Sequence, residues 1–361
     1  FEHLDSVQGR AYMDVALDSG INYMDIYDAT PEVLDRIGYA LQGRRDRMNI
    51  QGHIGNWYDP ELKQQSRTRD LEKVRIGFDD QLARLGTDHI EVGLIFIDDN
   101  MEDWLADREG PFMDYCQSLL KEGKVKHLGL STHNAEVALA AAKSGLVEVI
   151  MFSLNPAFDR VSADKSVWDP SSFDQLLVGI DPVRTELYNY CASHDIAITV
   201  MKAFGGGGRL LDAEKSPLGY ALTTTQCLAY CLANPAVKVA LCGTRNLEQL
   251  IDNLQYVNST DEERDYLAAM QAAETKSQQA SGCTYCGHCS PCPVGIDIAA
   301  VNELLDQAEQ AGSVSPELQK QYDALEHHAS ECTACGACEK RCPFQVPVRE
   351  RMQQAVKTFG K

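Results

Sequence analysis

The sequence predicts an α/β fold, a (β/α)8 barrel, followed by a small helical domain rich in cysteine. Three observations predict it. Short apolar runs alternate with amphipathic stretches of helical spacing from about residue 10 to 256. Several runs, such as Val92–Ile97, are apolar at nearly every position, as strands are when both faces of a parallel sheet are covered. Eight of the thirteen cysteines crowd between Cys283 and Cys342.

The expected strands are Ile21–Ile26, Met48–His53, Ile90–Ile97, Val125–Ser131, Val147–Phe152, Ile196–Met201 and Val237–Gly243. Helices fit between them. Leu71, Val74, Phe78, Leu82 and Leu85 recur three or four apart and mark one apolar face, and Gly86 supplies the stop. Pro31 opens a second helix that runs to about Leu41. Ala135–Ser144, Arg184–Ser193, Thr223–Ala233 and Asn246–Leu254 supply four more. Such alternation gives a doubly wound sheet or a barrel. A barrel needs an eighth strand; because the chain begins with a helix, that strand is expected upstream of Phe1. The poorly patterned Pro156–Pro182 reads as a long loop at a strand's C-terminal end, where it is either an active-site lid or a surface insertion. Thr260–Ser277 reads as a charged helix and residues 278–282 as a linker. These set the expected domains at 1–277 and 278–361. Asp297–Ala311 and Pro316–Ser330 are the expected helices of the second.

The chain has 361 residues and a formal net charge of −20, which leaves no basic face for nucleic acid. No apolar run reaches eighteen residues, so no membrane span is expected, and no signal peptide is visible. A cytoplasmic protein is expected. Cys116, Cys191, Cys227, Cys231 and Cys242 sit inside apolar patterns and read as packing thiols. The other eight have two-residue gaps which, without an export signal, point to metal rather than disulfides.

Their motifs are Cys283-x2-Cys286-x2-Cys289-x2-Cys292-Pro293 and Cys332-x2-Cys335-x2-Cys338-x3-Cys342-Pro343. Two-residue gaps let a curled backbone aim three thiolates at three corners of one cubane, while the displaced cysteine before proline serves the other cluster in two-cluster ferredoxins. That assigns Cys283, Cys286, Cys289 and Cys342 to one [4Fe–4S] cluster, and Cys332, Cys335, Cys338 and Cys292 to the second. The first motif has two residues before its last cysteine where the bacterial pattern has three. Zinc is the rival metal, disfavoured by the third evenly spaced cysteine and by the Cys-Pro pair. Gly287 and Gly336 suit close approach of backbone N–H groups to cluster sulfurs. Two linked clusters suggest an electron relay that exchanges electrons with a redox partner protein or a small-molecule donor or acceptor; purely structural clusters are the alternative.

Gly20-Ile21-Asn22-Tyr23-Met24-Asp25, Ile37-Gly38-Tyr39-Ala40-Leu41, Leu85-Gly86-Thr87-Asp88-His89-Ile90, Leu128-Gly129-Leu130-Ser131-Thr132-His133, Val200-Met201-Lys202-Ala203-Phe204-Gly205-Gly206-Gly207 and Cys242-Gly243-Thr244-Arg245-Asn246 resemble the aldo-keto reductases. With the C-terminal motifs, the chain resembles the ferredoxin-containing bacterial branch of that family. The resemblance implies a (β/α)8 barrel that reduces carbonyls with a nicotinamide hydride through an aspartate, a tyrosine acid, a lysine and a histidine. The aspartate matches Asp25. Thr30 stands at the tyrosine position, Gln51-Gly52-His53 where the lysine is expected, and Phe96 at the histidine position. Threonine is no proton donor at neutral pH and phenylalanine makes no hydrogen bond, so Tyr27 and His53 are the candidate substitutes beside Asp25. Asp98 and His133 also fall at expected strand ends. The resemblance places a nucleotide at Lys202, Gly205 and Gly206 and at Gly243, Thr244, Arg245, Asn246, Gln249 and Asn253. Glycine-rich N–H groups and a helix N-terminus suit its phosphates. NADP(H) is the implied nucleotide and a flavin the second candidate. The expected function is an oxidoreductase whose barrel exchanges electrons with two clusters. The alternative is an electron-transfer or docking subunit whose barrel has lost carbonyl reduction.

Overall fold

The structure, a computed structural model, describes residues 1–174, 176–177, 179–267, 269–270, 283, 285, 289–342 and 346–361, with residue 310 described by its backbone. The chain divides into two compact units, Phe1–Tyr266 and Leu267–Lys361. The expected boundary at residue 277, the 278–282 linker, Cys286 and Gly287 lie outside the described residues.

The first unit opens with α1 (Ser6–Asp18) and β1 (Tyr23–Ile26), followed by α2 (Pro31–Leu41), β2 (Asn49–Ile54), β3 (Asn56–Asp59), β4 (Gln64–Arg67), α3 (Leu71–Leu85) and β5 (Ile90–Ile95). It continues through α4 (Met101–Arg108), α5 (Pro111–Lys121), β6 (Val125–Thr132), α6 (Ala135–Lys143), β7 (Val149–Ser153), α7 (Pro182–Ser193), β8 (Ala197–Met201), α8 (Thr224–Leu232), β9 (Val237–Ala240), α9 (Leu247–Asn258) and α10 (Asp261–Arg264). Seven strands pair in the order β1-β2-β5-β6-β7-β8-β9, each pair parallel. The sheet curls into a nearly closed barrel. Tyr12 of α1 is hydrogen-bonded to Thr244, just beyond β9, so the two ends of the sheet come round towards each other. Among the described residues no eighth strand lies between them.

Side-chain alternation builds two cores. Val92, Leu94, Val149, Met151 and Met201 point inward and fill the barrel, while their neighbours in sequence, such as Ile150, Phe152, Ile198 and Val200, face the helices. α3 buries Val74, Phe78, Leu82 and Leu85 against that outer face, each worth about 1.5–3 kcal/mol. Asp70 caps its start, and Gly86, at φ +64, ends it. α2 and α3 touch at Gly38, where an added Cβ would sit 2.1 Å from the Arg84 carbonyl oxygen. Alanine there would force the two helices apart.

Three features add to or depart from the sequence-based expectation. An antiparallel hairpin, β3–β4, follows β2 at the strands' C-terminal end. The stretch between β7 and α7 folds into short 3-10 turns at Phe158–Arg160 and Pro170–Phe173. The helix expected from Thr260 to Ser277 leaves helical geometry at Asp265, with ψ at 84°.

The second unit contains α11 (Ile298–Ala311), α12 (Pro316–Asp323), α13 (Ala337–Arg341) and α14 (Val348–Phe359). Val301, Leu305, Tyr322, Met352, Ala355 and Phe359 form its core. α12 is shorter than the expected Pro316–Ser330. The chain turns so that the buried Tyr322 hydroxyl accepts the Ala329 N–H at 3.0 Å and donates to the Lys361 carbonyl at 2.9 Å. A helix continued past Asp323 would forfeit those bonds. No described helix is long and apolar enough to cross a membrane.

Candidate functional site

The barrel's C-terminal rim gathers polar groups on strands that are otherwise apolar. Gln51, fully buried, ties the interior together. Its amide donates to Asp25 Oδ1 at 2.7 Å and reaches Met151 Sδ at 3.5 Å. Its carbonyl accepts from the Tyr23 hydroxyl at 2.8 Å and, across the barrel, from Thr199 Oγ1 at 3.0 Å. One residue thus joins β1, β2, β7 and β8 beneath the rim. Period-two alternation then puts His53 one layer above Gln51 on the same face.

Asp25 and His53 meet there. His53 Nε2 lies 3.0 Å from Asp25 Oδ1, with the imidazole buried. His53 Nδ1 is also buried and has no partner among the described residues. The Tyr27 ring stands edge-on to His53 at 5.9 Å, and Phe96 closes the group at 5.3 Å from His53 and 5.8 Å from Tyr27. Tyr27 itself is 48% exposed, so the cluster has a dry base and an open phenol. Hairpin β3–β4 braces this corner: Asn56 Nδ2 donates to the Tyr27 carbonyl at 2.7 Å, and Gln65 Oε1 accepts the Ala29 N–H at 3.1 Å. Thr30 is the N-cap residue of α2, and Asp28 accepts its N–H at 2.8 Å.

Asp98 is fully buried and holds the hairpin in place. Arg67 and Arg69 donate to its Oδ1 at 2.8 and 2.9 Å, and both also reach Asp107. Its place behind this cluster suits anchoring better than proton transfer. His133 is likewise engaged, with Nδ1 3.0 Å from Asp99 Oδ2. Trp168, on the β7–α7 connection, packs edge-on against His133 at 4.5 Å. That connection therefore lies over the rim.

Lys202 follows β8 with a left-handed φ of +63°, and its carbonyl accepts from Asn155 Nδ2 at 3.0 Å. Its ammonium sits 5.1 Å from the Trp168 ring centre, a cation–π arrangement, and burial lowers its pKa. The next turn, Gly205–Gly208, has four consecutive positive φ values between +63° and +80°, a path open to glycine at low cost. The β9–α9 loop is less free than expected. Thr244 is engaged with Tyr12, Asn246 caps α9 by accepting the Gln249 N–H at 2.9 Å, and Gln249 Oε1 accepts the Arg245 N–H at 2.8 Å. Asn246 and Gln249 spend part of their polar capacity on the helix start.

In the second unit, one cavity is lined by Cys292, Cys332, Cys335 and Cys338 together with Pro293, Ile296 and Met352. Cys292 comes from the first motif and the other three from the second. No three His, Cys, Asp or Glu side chains among the described residues converge closely enough for a single ion; the four cysteines share the lining of one cavity. Thiol donors in an apolar wall fit an iron–sulfur cubane. Gly336, at φ +70°, turns the backbone there, the Ala334 N–H points at Cys332 Sγ at 3.4 Å, and a hydrogen bond from the Ala337 N–H holds the Cys335 thiol below its usual pKa. Cys283, Cys289 and Cys342 pack against the core of this unit, and burial pushes the Cys283 thiol up.

Fold and site together define an α/β-barrel oxidoreductase with an iron–sulfur domain. The chain belongs to the aldo/keto reductase family, whose sequence pattern matches residues 3–221; residues 279–346 match the 4Fe-4S dicluster domain. YqkF of Bacillus subtilis, described as an uncharacterised oxidoreductase, is 27% identical over 280 residues, covering 72% of this chain and 85% of that protein. Among solved structures, the holo form of aldo-keto reductase AKR11C1 from Bacillus halodurans superposes with a TM-score of 0.58 at 21% identity, over 74% of this chain and 88% of that one. An aldo/keto reductase from Klebsiella pneumoniae, in complex with NADP and acetate, gives 0.51 at 17% identity, over 74% and 85%. These structural likenesses establish the barrel fold.

The sequence reading singled out Asp25, Tyr27 and His53, which the fold brings together. It missed Gln51 as the residue beneath them, although a polar side chain in a buried apolar strand was a usable signal. Trp168 carried no such signal, because its loop has no periodicity to place it.

Proposed function

We propose that the protein is an iron–sulfur oxidoreductase. In this reading Cys283, Cys286, Cys289 and Cys342 hold one [4Fe–4S] cluster, and Cys292, Cys332, Cys335 and Cys338 hold a second. The barrel takes NADP(H) beside a proton-handling group of Asp25, His53 and Tyr27. The observation that carries the reading is the cavity in which Cys292 of the first motif joins three cysteines of the second, the crosswise ligation expected of a two-cluster domain.

Bound clusters supply one-electron transfer and a bound nicotinamide supplies hydride chemistry; the chain's own groups do the rest. Asp25 fixes the His53 ring through Nε2, leaving Nδ1 as the atom that takes up or releases a proton. Tyr27 and Phe96 shield that ring from water. The exposed Tyr27 phenol is placed to give a proton to an oxygen on the substrate. Lys202, whose ammonium faces Trp168, neutralises an anionic oxygen such as a dinucleotide phosphate. The Gly205–Gly208 turn lets backbone approach that phosphate closely. The Klebsiella structure is a complex with NADP, which supports a nicotinamide nucleotide as the ligand of this barrel. The electrons pass to or from a partner protein or small-molecule carrier in the cytoplasm.

Purification without oxygen tests the reading. A brown protein whose visible absorption bleaches on reduction, and which binds NADPH in a fluorescence titration, supports it. A colourless protein that ignores NADPH contradicts it.

A further inference from the structure

The segment that carries Tyr27 has no regular structure of its own. β1 ends at Ile26 and α2 begins at Pro31, and the stretch between them belongs to neither. Its backbone is held from outside. Asn56 Nδ2 donates to the Tyr27 carbonyl at 2.7 Å, and Gln65 Oε1 accepts the Ala29 N–H at 3.1 Å. Asn56 lies on β3 and Gln65 on β4, so each strand of the hairpin contributes one bond. The hairpin is in turn anchored to the barrel. Asn56 stands opposite Arg67 in the ladder, and Arg67 donates to the buried Asp98 at 2.8 Å. Arg69, just beyond β4, donates to Asp98 Oδ1 at 2.9 Å, to the Phe96 carbonyl at 3.0 Å and to the buried Asp107. Its guanidinium also lies 4.2 Å from the centre of the Phe112 ring.

Phe96 and Asp98 flank Ile97, whose φ is +48°. A β-branched residue enters that region only under strain, and Arg69 grips the residue on each side of it. The bend fixes Phe96, whose ring centre lies 5.8 Å from that of Tyr27 and 5.3 Å from that of His53. Tyr27 is thus held twice by one hairpin, by its backbone and by its ring. We propose that β3–β4 is a positioning clamp for the proton donor: Asn56 and Gln65 set the direction of the Tyr27 phenol through its backbone, and Arg69 sets the Phe96 ring against which it rests. The proposal rests on the reading of Tyr27 as that donor. In the step it serves, the carbonyl carbon receives the nicotinamide hydride with its electron pair. The Tyr27 O–H bond breaks, its proton bonds to the carbonyl oxygen, and the half-exposed phenolate recovers a proton from water. The clamp touches neither substrate nor nucleotide. It acts by keeping the phenol in the productive direction, which a freely swinging side chain would seldom adopt.

The test uses the full chain prepared without oxygen. Hydrogen–deuterium exchange of the nucleotide-free protein reads the clamp itself. Gln65→Leu removes the acceptor and Gln65→Glu keeps it, so the Ala29 amide loses protection in the first and retains it in the second. Asn56→Asp keeps the shape but has no N–H to donate, and the peptide carrying Tyr27 and Ala29 loses protection there too. Turnover of NADPH with benzaldehyde as the probe reads the consequence. Asn56→Asp lowers kcat by about 10–10²-fold, with the KM for the aldehyde and the NADPH affinity little changed. Added to Tyr27→Phe it lowers kcat no further, because a residue that acts only through the phenol has nothing left to act on. Unchanged exchange and kcat in Asn56→Asp and Gln65→Leu, or a further fall on the Tyr27→Phe background, would overturn the clamp and leave Tyr27 as the donor. A wild type inert towards the aldehyde, or full turnover in Tyr27→Phe, would overturn the donor reading and the clamp with it. Asn56 and Gln65 are only partly buried, so these variants spare the barrel core, and an unchanged urea midpoint of tryptophan fluorescence verifies that they do.

Discussion

Replacing Gln51 with leucine removes the polar joint of the barrel interior while keeping the volume nearly constant. In the wild type the side chain satisfies the Tyr23 hydroxyl, Thr199 Oγ1 and Asp25 Oδ1. Leucine leaves all three short of a partner. A buried group stripped of its partner costs about 1–3 kcal/mol. Thr199, almost fully buried, falls in the middle of that range. Tyr23 is half-buried and Asp25 keeps His53, so each falls near the bottom. The sum is about 3–4 kcal/mol, and the added apolar burial of leucine returns about 1–2. The barrel should therefore lose about 2 kcal/mol. The three tryptophans, Trp57, Trp104 and Trp168, all belong to the first unit, so their fluorescence in urea reports on the barrel alone. The midpoint should fall by about 1 M or somewhat less. A Gln51→Leu protein whose midpoint matches or exceeds the wild type would refute the reasoning, because Gln51 would then be a dispensable filler.

The remaining predictions concern one group each. Asp159 is buried with the Tyr188 and Tyr230 hydroxyls as donors, and burial pushes its pKa up to about 6. The folded state then holds a proton that the unfolded chain releases near 3.8, so stability from this group is present at low pH and lost as pH rises through 6. The urea stability of wild type relative to Asp159→Asn should fall by about 1 kcal/mol between pH 5 and pH 7; a difference independent of pH counts against it. Cys335→Ala should lose about half the iron while the barrel's tryptophan-monitored midpoint stays put, and unchanged iron would remove Cys335 from the ligand set. Tyr27→Phe should keep NADPH affinity, read by fluorescence titration, and lower carbonyl-dependent NADPH oxidation by about 10²–10⁴-fold; full turnover would exclude Tyr27 as the proton donor. Arg351→Met leaves Asp306 and Glu309 without their shared cation and should destabilise the second unit by about 3–5 kcal/mol, seen as loss of its hydrogen-exchange protection at unchanged barrel stability.

Much of the barrel was legible because both-sided burial leaves a plain mark. All seven parallel strands fall where the apolar runs predict, with ends that shift by one to three residues. α3 was fixed by its five-residue apolar face and by Gly86. The β3–β4 hairpin was not legible. Its strands, Asn-Trp-Tyr-Asp and Gln-Gln-Ser-Arg, do not alternate, and it is held by Arg67 and Arg69 reaching Asp98 and Asp107, contacts made across the fold. α12 was overextended because local propensity carries no knowledge of Tyr322 needing the Ala329 N–H. At the rim, Asp25 and His53 could be placed from strand ends alone, since both project inward at the same barrel end. Asn246 and Gln249 read equally well as phosphate ligands or as a helix start, and the fold uses both at the start of α9.

The count of iron and acid-labile sulfide in protein prepared without oxygen tests the central claim most directly. The crosswise arrangement of the two cysteine motifs predicts about eight of each per chain. Stoichiometric zinc with no sulfide would contradict it.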